Sequence, residues 1–543
     1  MKHVTVHWLP GAFFLLFLAL GLTITGDYGI HWDDHAQYRH GLVTADFTRE
    51  YFQLAPEYPS LSGIRLEEYK DRTHGVVFQM LALGVQNLLR LDDTRDIFLL
   101  RHYLTFIVFF TGLIFFYRLL KLRFENPALA LLGVVMMILS PRIFADSFYN
   151  SKDIVFLSLT IINTWTLVQF LQRPTVPAAM YHALAGALLI ATRITGVFVP
   201  AITLLFVLLI SVKKNLFLTN HEISQTSFGT HLRSRMITAG IYLVMTLLLT
   251  IVFWPYLWRD PFSRLPEIFT AMSHFKWDDP VLFRGDFISP TALPFYYVPY
   301  WIAITTPILY SLLFLAGIGF TVFRRRTGFP GMIDLVNLAL FFFPLLAIIL
   351  LGSVIYDGWR QMFFLYVPMM LLAMTGFSEI LEYIKRKARQ RFKTGFRLML
   401  FGIVAISWAG SLFFMVRYHP NQNVYFNCLA GKETTRNFEA DYWGLSYRQV
   451  LEYLLEHDPS DTILVFSVNW PGEANADILP AAQRKRLQYV SPEKAVYYLS
   501  NYRFPPEHHQ FFSREYPYDQ PVIEISVKKN QISGAYRLTK GWE

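Results

Sequence analysis

The chain of 543 residues is 53% hydrophobic and 17% aromatic, and only 16% of its residues are charged. Soluble globular proteins carry nearer a quarter of their residues as charges, so this composition excludes an ordinary soluble protein and favours a membrane protein. The net charge of +9 lies in short basic clusters between apolar runs, which excludes a nucleic-acid-binding surface, and the single cysteine, Cys428, excludes an internal disulfide framework and a multi-cysteine metal site.

Apolar runs that approach the ~20 residues needed to cross a bilayer recur along most of the chain. The first follows Lys2 and His3, as in a signal peptide, but no small-residue cleavage motif comes after it, so we interpret it as an uncleaved helix. We predict eleven membrane-spanning helices, near residues 9–26, 99–120, 126–140, 154–171, 178–192, 196–212, 236–256, 297–323, 332–355, 361–377 and 396–416.

The basic clusters indicate how these helices are oriented, because cytoplasmic loops carry an excess of Lys and Arg. With the N-terminus in the cytoplasm, every cluster falls on the cytoplasmic side: Lys121 to Arg123, Lys213 and Lys214 with Arg233 and Arg235, Arg324 to Arg326, and residues 385–393. The opposite side, here called the outer side, then holds residues 27–98, 141–153, 193–195, 257–296, 356–360 and the chain after 417. Ionisable residues concentrate in these outer loops and are few within the spans, which favours a reaction centre at the membrane surface over a transport path.

Beyond residue 417 the long apolar runs stop. Residues 446–457 have helical spacing, whereas 461–468 and 521–527 have the patterns of strands. We therefore predict two domains, a multi-pass transmembrane domain over residues 1–416 and a small soluble α/β domain on the outer side over 417–543.

An acidic pair, Asp33 and Asp34, follows the first span in the stretch GIHWDDHAQYRHG (29–41). Adjacent side chains diverge on a helix or a strand, so the two carboxylates are expected to do different jobs. Asp34 stands where it can cap a short interfacial helix, which leaves Asp33 to face a surface cavity edged by Trp32 and apolar groups. Burial there would raise the pKa of Asp33 and suit it to general-base catalysis. The alternative is that both acids are solvated residues at a helix exit.

Cationic side chains recur on the outer side, where positive charge is normally depleted. Arg72 and His74 lie in the stretch YKDRTHGVVFQML (69–81), and they could grip a phosphate or merely contact lipid headgroups. The loop SPRIFADSFYNSKDI (140–154) ends in Lys152 and Asp153, more charge than a simple chain reversal needs. Arg193 stands between two apolar runs, where it could serve a ligand or a structural ion pair. A further charged outer turn, YDGWRQMFFLYVP (356–368), contains Asp357 and Arg360.

The acidic pair after the first span, the basic and histidine-containing stretch before an interfacial helix, and the charged loop containing Pro141 and Arg142 resemble one superfamily over residues 1–420. It is the GT-C type glycosyltransferases that use polyprenyl-phosphate sugars, in the branch similar to protein O-mannosyltransferases (family 39-like), to which aminoarabinose transferases of lipid A also belong. Longer stretches, at 275–287, 294–307, 356–368 and 419–448, are similar to bacterial and fungal membrane proteins of that group. The branch usually has Asp-Glu where this chain has Asp33-Asp34, and its His-Pro-Pro pattern survives only as His74-Gly75-Val76.

The resemblance implies an all-α GT-C membrane fold with interfacial helices in the first outer loop, and an inverting enzyme of the bacterial inner membrane whose site and tail face outward. It implies a sugar donor linked to polyprenyl phosphate, contact with membrane lipids, an unidentified envelope lipid, glycan or protein acceptor, and no nucleic acid. By likeness Asp33 aligns with the catalytic base. We assign Asp33 and Asp34 to catalysis, a second set to the donor phosphate (Arg72, His74, Lys152, Arg193 and Arg360), and a third to the acceptor or sugar (Asp153, Tyr149 and Asp357).

No metal is expected to be required, because the leaving group is a lipid phosphate and no DxD-type site is apparent, although Asp33 and Asp34 could bind a divalent cation. Two other functions remain open. A transporter or flippase of a lipid-linked sugar would place charged groups around a mid-membrane cavity. A non-catalytic scaffold would tolerate Asp33→Ala but not loss of the tail.

Overall fold

The computed structural model describes residues 8–54, 60–212, 228–273, 277, 279–324, 327–503 and 521–538. Of the residues used above for orientation, Lys213, Lys214, Arg325 and Arg326 lie outside this part of the chain.

The region up to residue 417 is built mainly from α-helices, numbered here in chain order. They are α1 (Leu9–Ile24), α2 (Asp34–Tyr51), α3 (Val77–Leu89), α4 (Thr94–Phe124), α5 (Pro127–Ile138), α6 (Pro141–Tyr149), α7 (Asp153–Gln172), α8 (Val176–Ile190), α9 (Phe198–Val212), α10 (Phe228–Phe253), α11 (Pro261–Ser273), α12 (Tyr297–Thr305), α13 (Ile308–Arg324), α14 (Gly328–Leu350), α15 (Tyr366–Lys387) and α16 (Gln390–Arg417). A hairpin of β1 (Val281–Phe283) and β2 (Asp286–Ile288) lies between α11 and α12.

Many of these helices could cross a membrane. In the described ranges, eight helical segments are long and apolar enough to do so, and a ninth is added if α5 and α6, which meet at a bend of 73°, form one span. The helices α8 and α13 are apolar but shorter. Each of the eleven predicted spans overlaps one of these segments, while α2 and α3 form the additional helices expected in the first outer loop.

Two predicted segments differ in shape from the expectation. Residues 141–149, predicted as part of a polar connection, form the helix α6, and the span predicted at 297–323 is divided into α12 and α13. Both breaks have the same cause. Ser140 and Thr306 each precede a proline, whose ring excludes the helical conformation at the residue before it, and both adopt extended backbone angles.

Glycines allow α13 and α15 to cross closely. A Cβ atom on Gly317 would collide with the backbone carbonyl of Leu372, and one on Gly376 would collide with that of Leu313. Small residues at such crossings let membrane helices approach until their backbones touch. This contact holds α13 against the middle of α15, the helix that follows the 3₁₀ turn Arg360–Leu365.

In the described part of the tail after α16, the longest helix packs on a sheet, and three helices of four residues each (Thr434–Asn437, Pro471–Ala474 and Ala481–Arg484) lie in the connections. Strands β3 (Ile463–Ser467), β4 (Leu487–Tyr489), β5 (Tyr497–Ser500), β6 (Pro521–Val527) and β7 (Asn530–Arg537) form a five-stranded sheet in the order β4-β3-β5-β7-β6. Strand β3 is parallel to β4 and β5, whereas β7 is antiparallel to β5 and β6. The apolar face of α17 (Tyr447–His457) packs against this sheet. The helix and two strands predicted in the tail are confirmed, as is the fold class of a helical membrane region with a small α/β unit.

The tail docks on the first outer loop through polar contacts. The side chain of Asn475 accepts a hydrogen bond from the Ile30 N–H and donates one to the Ile30 carbonyl, both at 2.9 Å. Arg448 donates to the carbonyl of Tyr28 at 2.9 Å, and Arg484 pairs with Asp93 at 2.9 Å. These contacts hold the tail against the end of the helical region where the outer loops lie.

We predict that a membrane-impermeant maleimide labels Cys428 in intact cells, because this exposed cysteine lies in the tail assigned to the outer side. A cysteine replacing the exposed Arg386 in a Cys428→Ser background should be labelled only after the cells are permeabilised. Labelling of the position 386 cysteine in intact cells, with Cys428 protected, would reverse the orientation.

Candidate active site

One cavity of about 170 Å³ lies where the outer loops converge. Its lining comes from the start of α2, the segment before α3, the residue before α7, the turn after α8, the helix α11, the end of α14, and the segment between α14 and α15. Its polar part contains Asp33, Thr73, His74, Lys152, Thr192, Arg193, Thr195, Tyr356, Arg360 and Gln361, and its apolar part includes Ile194, Met272, Ile348, Val354, Ile355 and Met362. Five loops predicted to share one side of the membrane therefore contribute to one cavity.

The two acids of the WDD motif have different environments. Asp33 lines the cavity with a side chain that is 33% exposed, whereas the side chain of Asp34 is fully buried. Asp34 accepts a hydrogen bond from the His31 backbone N–H at 3.0 Å and lies 3.1 Å from the His31 ring Nε2. The other ring nitrogen, Nδ1, accepts from the Asp33 backbone N–H at 3.0 Å. Asp34 thus anchors the turn that presents Asp33 to the cavity.

The expected cap geometry was wrong by one residue. Helix α2 begins at Asp34, so Asp33 occupies the N-cap position, and its side chain makes no capping hydrogen bond. Asp34 instead turns back toward His31, because the histidine ring and backbone offer two donors within the buried turn. Trp32, expected at the edge of the cavity, lies with its ring centroid 4.9 Å from the Arg503 guanidinium.

Three cations line the cavity near Asp33. The Arg360 guanidinium lies 3.4 Å from the Asp33 carboxylate, and Arg193 pairs with the buried Asp153. The Lys152 ammonium forms no hydrogen bond or ion pair with any residue that the structure describes. Burial, and secondly the charge of Arg193, lower the pKa of Lys152 to about 8. Lys152 is therefore a cation beside the candidate base for which the described residues provide no partner.

Buried donor groups in this lining lack partners as well. The Nε atoms of Arg193 and Arg360 and the hydroxyl of Thr195 are buried without a hydrogen-bond partner in the described ranges. Buried polar atoms are nearly always hydrogen-bonded to protein, water or ligand. Donors gathered beside cations in this way form a site suited to an anion with several acceptor oxygens.

The segment before α3 forms another wall of the cavity. A Cβ atom on Gly75 would collide with the backbone carbonyls of Ala191 and Thr192, so only glycine lets this segment pack against the turn that carries Arg193. His74 lines the cavity, its backbone carbonyl accepts a hydrogen bond from the Trp254 indole at 3.1 Å, and burial lowers its pKa well below the usual value. His74 is therefore neutral at pH 7.

Arg72 lies outside the cavity lining. Its guanidinium pairs with Glu267 at 3.0 Å and donates to the Tyr256 hydroxyl at 3.2 Å. The structure thus brings together four of the five residues assigned to the donor phosphate, and it places Arg72 in an ion pair between the first and fourth outer loops.

The residues assigned to the acceptor are buried and lie outside the cavity lining. Asp153 and Asp357 are buried, and Arg360 contacts both, at 3.5 Å and 3.2 Å. Tyr149 is also buried, and its ring packs near those of Tyr28 and His31. None of the three is among the lining residues. Contact with the sugar or the acceptor stays a prediction for these three residues. In the structure, Asp153 and Asp357 contact Arg360, and Tyr149 packs against the turn that contains the WDD motif.

Three residues of the tail, none of them a predicted site residue, lie near the charged group formed by Asp33, Lys152, Asp153, Arg193, Asp357 and Arg360. Arg503 pairs with Asp357 at 2.7 Å, and the Trp443 ring lies 4.5 Å from the Arg360 guanidinium. Burial, and secondly the charge of Asp357, raise the pKa of Glu439 to about 8, so it is mostly neutral at pH 7. Trp443 and Glu439 lie in the stretch 419–448 that carried the resemblance, whereas Arg503 had no sequence signal.

The net charge of the group suits an anionic ligand. Four cations, Lys152, Arg193, Arg360 and Arg503, face the three carboxylates of Asp33, Asp153 and Asp357. Within the described residues, no group of three or more His, Cys, Asp or Glu side chains is arranged to hold a metal ion. Independence of metal stays a prediction for this site.

Comparison with known proteins gave matches in structure only. No protein-family model and no curated protein matches the chain. ArnT from Cupriavidus metallidurans, bound to undecaprenyl phosphate, is similar at 12% identity and a TM-score of 0.49, over 98% of this chain and 98% of that one. The Archaeoglobus fulgidus oligosaccharyltransferase is similar at 12% identity and 0.48, over 92% of this chain and 70% of that one. The arabinofuranosyltransferase AftD from Mycobacteria is similar at 11% identity and 0.42, over 84% and 31%. Glycosyltransferases are thus among the solved structures that this chain resembles.

Proposed function

We propose that this protein is a membrane glycosyltransferase that moves a sugar from a polyprenyl-phosphate carrier to an acceptor hydroxyl. The transfer takes place on the outer side of the membrane that the protein spans. One observation carries the proposal. Asp33 is the only carboxylate among the described lining residues of the cavity, and the cations Lys152, Arg193 and Arg360 line the same space. The sequence motifs that resemble the GT-C glycosyltransferases include Asp33, Lys152 and Arg360.

In the proposed reaction, the carboxylate of the cavity takes up the proton and the cations of the cavity stabilise the departing phosphate. Asp33 accepts the proton of the acceptor hydroxyl as that oxygen bonds to the anomeric carbon. The bond from the anomeric carbon to the phosphate oxygen breaks, and its electron pair leaves with the lipid phosphate. Lys152, Arg193 and Arg360 stabilise the charge that develops there. A metal is not needed for this step, because fixed cations perform the same electrostatic role.

The single carboxylate also supports inversion at the anomeric carbon. Glycosyl transfer with retention commonly uses a second carboxylate close to the first as a nucleophile. The other acids described around Asp33 are engaged elsewhere, because Asp34 is buried against His31, and Asp153 and Asp357 are buried in ion pairs with arginines. Direct displacement by the acceptor oxygen is therefore the route that this arrangement favours.

The apolar part of the cavity supports a lipid-linked donor. Ile348, Val354 and Met362 line it beside the cations, so one ligand could place an anionic phosphate on the cations and the first carbons of its chain on these side chains. We assign the acceptor to an envelope lipid, glycan or protein, and the cell location to the bacterial inner membrane with the site and tail outside.

The test is mass spectrometry of lipid-linked sugars and envelope glycans in a deletion strain. We expect a polyprenyl-phosphate sugar to accumulate and one envelope sugar to disappear, with restoration by the wild-type gene but not by Asp33→Asn. Detergent-solubilised membranes distinguish a transferase from a transporter, since sidedness is lost in detergent. Consumption of the accumulated donor by solubilised wild-type membranes supports a transferase, whereas unchanged lipid-linked sugars and glycans in the deletion strain contradict the proposal.

A further inference from the structure

The tail contacts the residues that hold the candidate base, and it does so with buried side chains. Arg503 is 6% exposed and Trp443 is 1% exposed. Arg503 donates to Asp357 at 2.7 Å and to the Tyr442 carbonyl at 3.2 Å. It therefore joins the segment before α15 to a tail segment distant in sequence.

The turn at Asp357 transmits this contact to Arg360. Asp357 and Gly358 both have positive φ angles, 54° and 72°, which fold the chain so that the Asp357 carboxylate accepts from Arg360 at 3.2 Å. Asp and Gly tolerate this left-handed backbone better than most residues. The two oxygens of Asp357 are thus divided between Arg503 of the tail and Arg360 of the cavity.

Trp443 supports Arg360 from a second direction and reaches the WDD turn. Its ring lies 4.5 Å from the Arg360 guanidinium and 4.5 Å from the His31 ring, and its indole N–H donates to Asp146 at 3.2 Å. Stacking on an aromatic face and pairing with a planar carboxylate both fix the orientation of a guanidinium. The tail consequently contacts Arg360 and the turn that presents Asp33.

We propose that the C-terminal α/β region is part of the catalytic machinery, with Arg503 and Trp443 as positioning residues that orient Arg360 toward Asp33 and the donor phosphate. This inference rests on the proposed function for the identity of the reaction. It assigns the tail a role in the chemistry itself, beyond covering the outer surface or binding partners.

The test compares Arg503→Gln with Arg484→Gln. Arg484 also joins the tail to the helical region, through an ion pair with Asp93 at 2.9 Å. Neither Arg484 nor Asp93 lines the cavity or contacts Arg360. The measurements are turnover with the donor accumulated in the deletion strain, and the dissociation constant of farnesyl phosphate for the purified full-length protein. We expect Arg503→Gln to lower turnover and weaken farnesyl phosphate binding by roughly tenfold each, the size of one charge-assisted hydrogen bond. Arg484→Gln should leave both unchanged, and it should lower thermal stability less than Arg503→Gln, because its pair with Asp93 is partly exposed whereas the Arg503–Asp357 pair is buried.

Arg503→Lys is the conservative variant, and it also covers the case in which Arg503→Gln does not fold. Its single ammonium can pair with Asp357, so it should recover most of the binding and part of the turnover.

Equal effects of the 503 and 484 substitutions, or wild-type kinetics and binding in Arg503→Gln, overturn the inference. If the wild-type protein binds farnesyl phosphate but transfers no sugar, the proposed function is wrong. The difference in farnesyl phosphate binding between the variants then still decides the role of Arg503. A wild type that does neither overturns both.

Discussion

Asp33→Asn is expected to lower turnover by ~10²–10⁴-fold, the usual contribution of general-base catalysis. The substitution keeps the shape of the side chain and removes its ability to accept the proton of the acceptor hydroxyl. Asp33 also contacts Arg360 at 3.4 Å, but Arg360 keeps Asp153 and Asp357 as partners, so the cavity should stay assembled. The dissociation constant of farnesyl phosphate should therefore change little in this variant.

Asp34→Asn is the matched control, because it makes the same chemical change at the neighbouring position. An asparagine there can still accept from the His31 backbone N–H, but it loses the charged contact with the His31 ring. We expect a lower melting temperature and a much smaller loss of turnover per folded molecule. If Asp34→Asn is inactive and Asp33→Asn is active, the two roles are reversed. If both variants are fully active, neither acid of the WDD motif takes part in catalysis.

The convergence of Asp33, His74, Lys152, Arg193 and Arg360 could be foreseen in part from sequence. A chain that crosses a membrane repeatedly returns every second loop to the same surface, so charged residues in alternate loops must lie near one plane. The sequence therefore predicts a common side for these residues. It does not predict which of them share a cavity, because that depends on how the helices pack within the plane.

Arg72 shows where this reasoning fails. It lies two residues from His74 in a stretch that suits phosphate binding, and its side chain pairs with Glu267, 195 residues later in the chain. Arg193, by contrast, both forms a structural ion pair with Asp153 and lines the cavity, so the ion pair is compatible with the predicted ligand role, which stays a prediction. A local pattern cannot separate these cases, since the competing acids come from remote loops.

The role of the tail was still less accessible from sequence. Arg503 is an isolated cation in a polar region without periodic spacing, and its partner Asp357 lies 146 residues earlier. Only the docking of the α/β unit on the first outer loop brings the two together. Asp34 was misplaced for a related reason, because cap propensity is a local preference and the buried donors of His31 compete with it in the folded turn.

Lys152→Met is expected to lower kcat/KM for the donor by ~10–100-fold, since a hydrogen bond to a charged group contributes about 1.5–3 kcal/mol and each 1.4 kcal/mol is a factor of ten. No described residue neutralises the Lys152 ammonium, so its charge is available to the donor phosphate. Arg72→Met is the control, because it removes a cation from the same outer surface but outside the cavity. Similar donor kinetics in the two variants would remove Lys152 from the phosphate site.

The dependence on pH distinguishes this lysine from the neighbouring arginines. Burial and Arg193 lower the pKa of Lys152 to about 8, so in the free enzyme its charge is largely present at pH 7 and is lost as the pH rises through 8. The phosphodiester of the donor does not titrate in this range, so kcat/KM should fall on the alkaline side with an apparent pKa near 8. Lys152→Arg retains its charge at these pH values, so this alkaline fall should disappear. If Lys152→Arg keeps the alkaline fall of the wild type, then another group titrates there, and the Lys152 ammonium does not hold the donor phosphate.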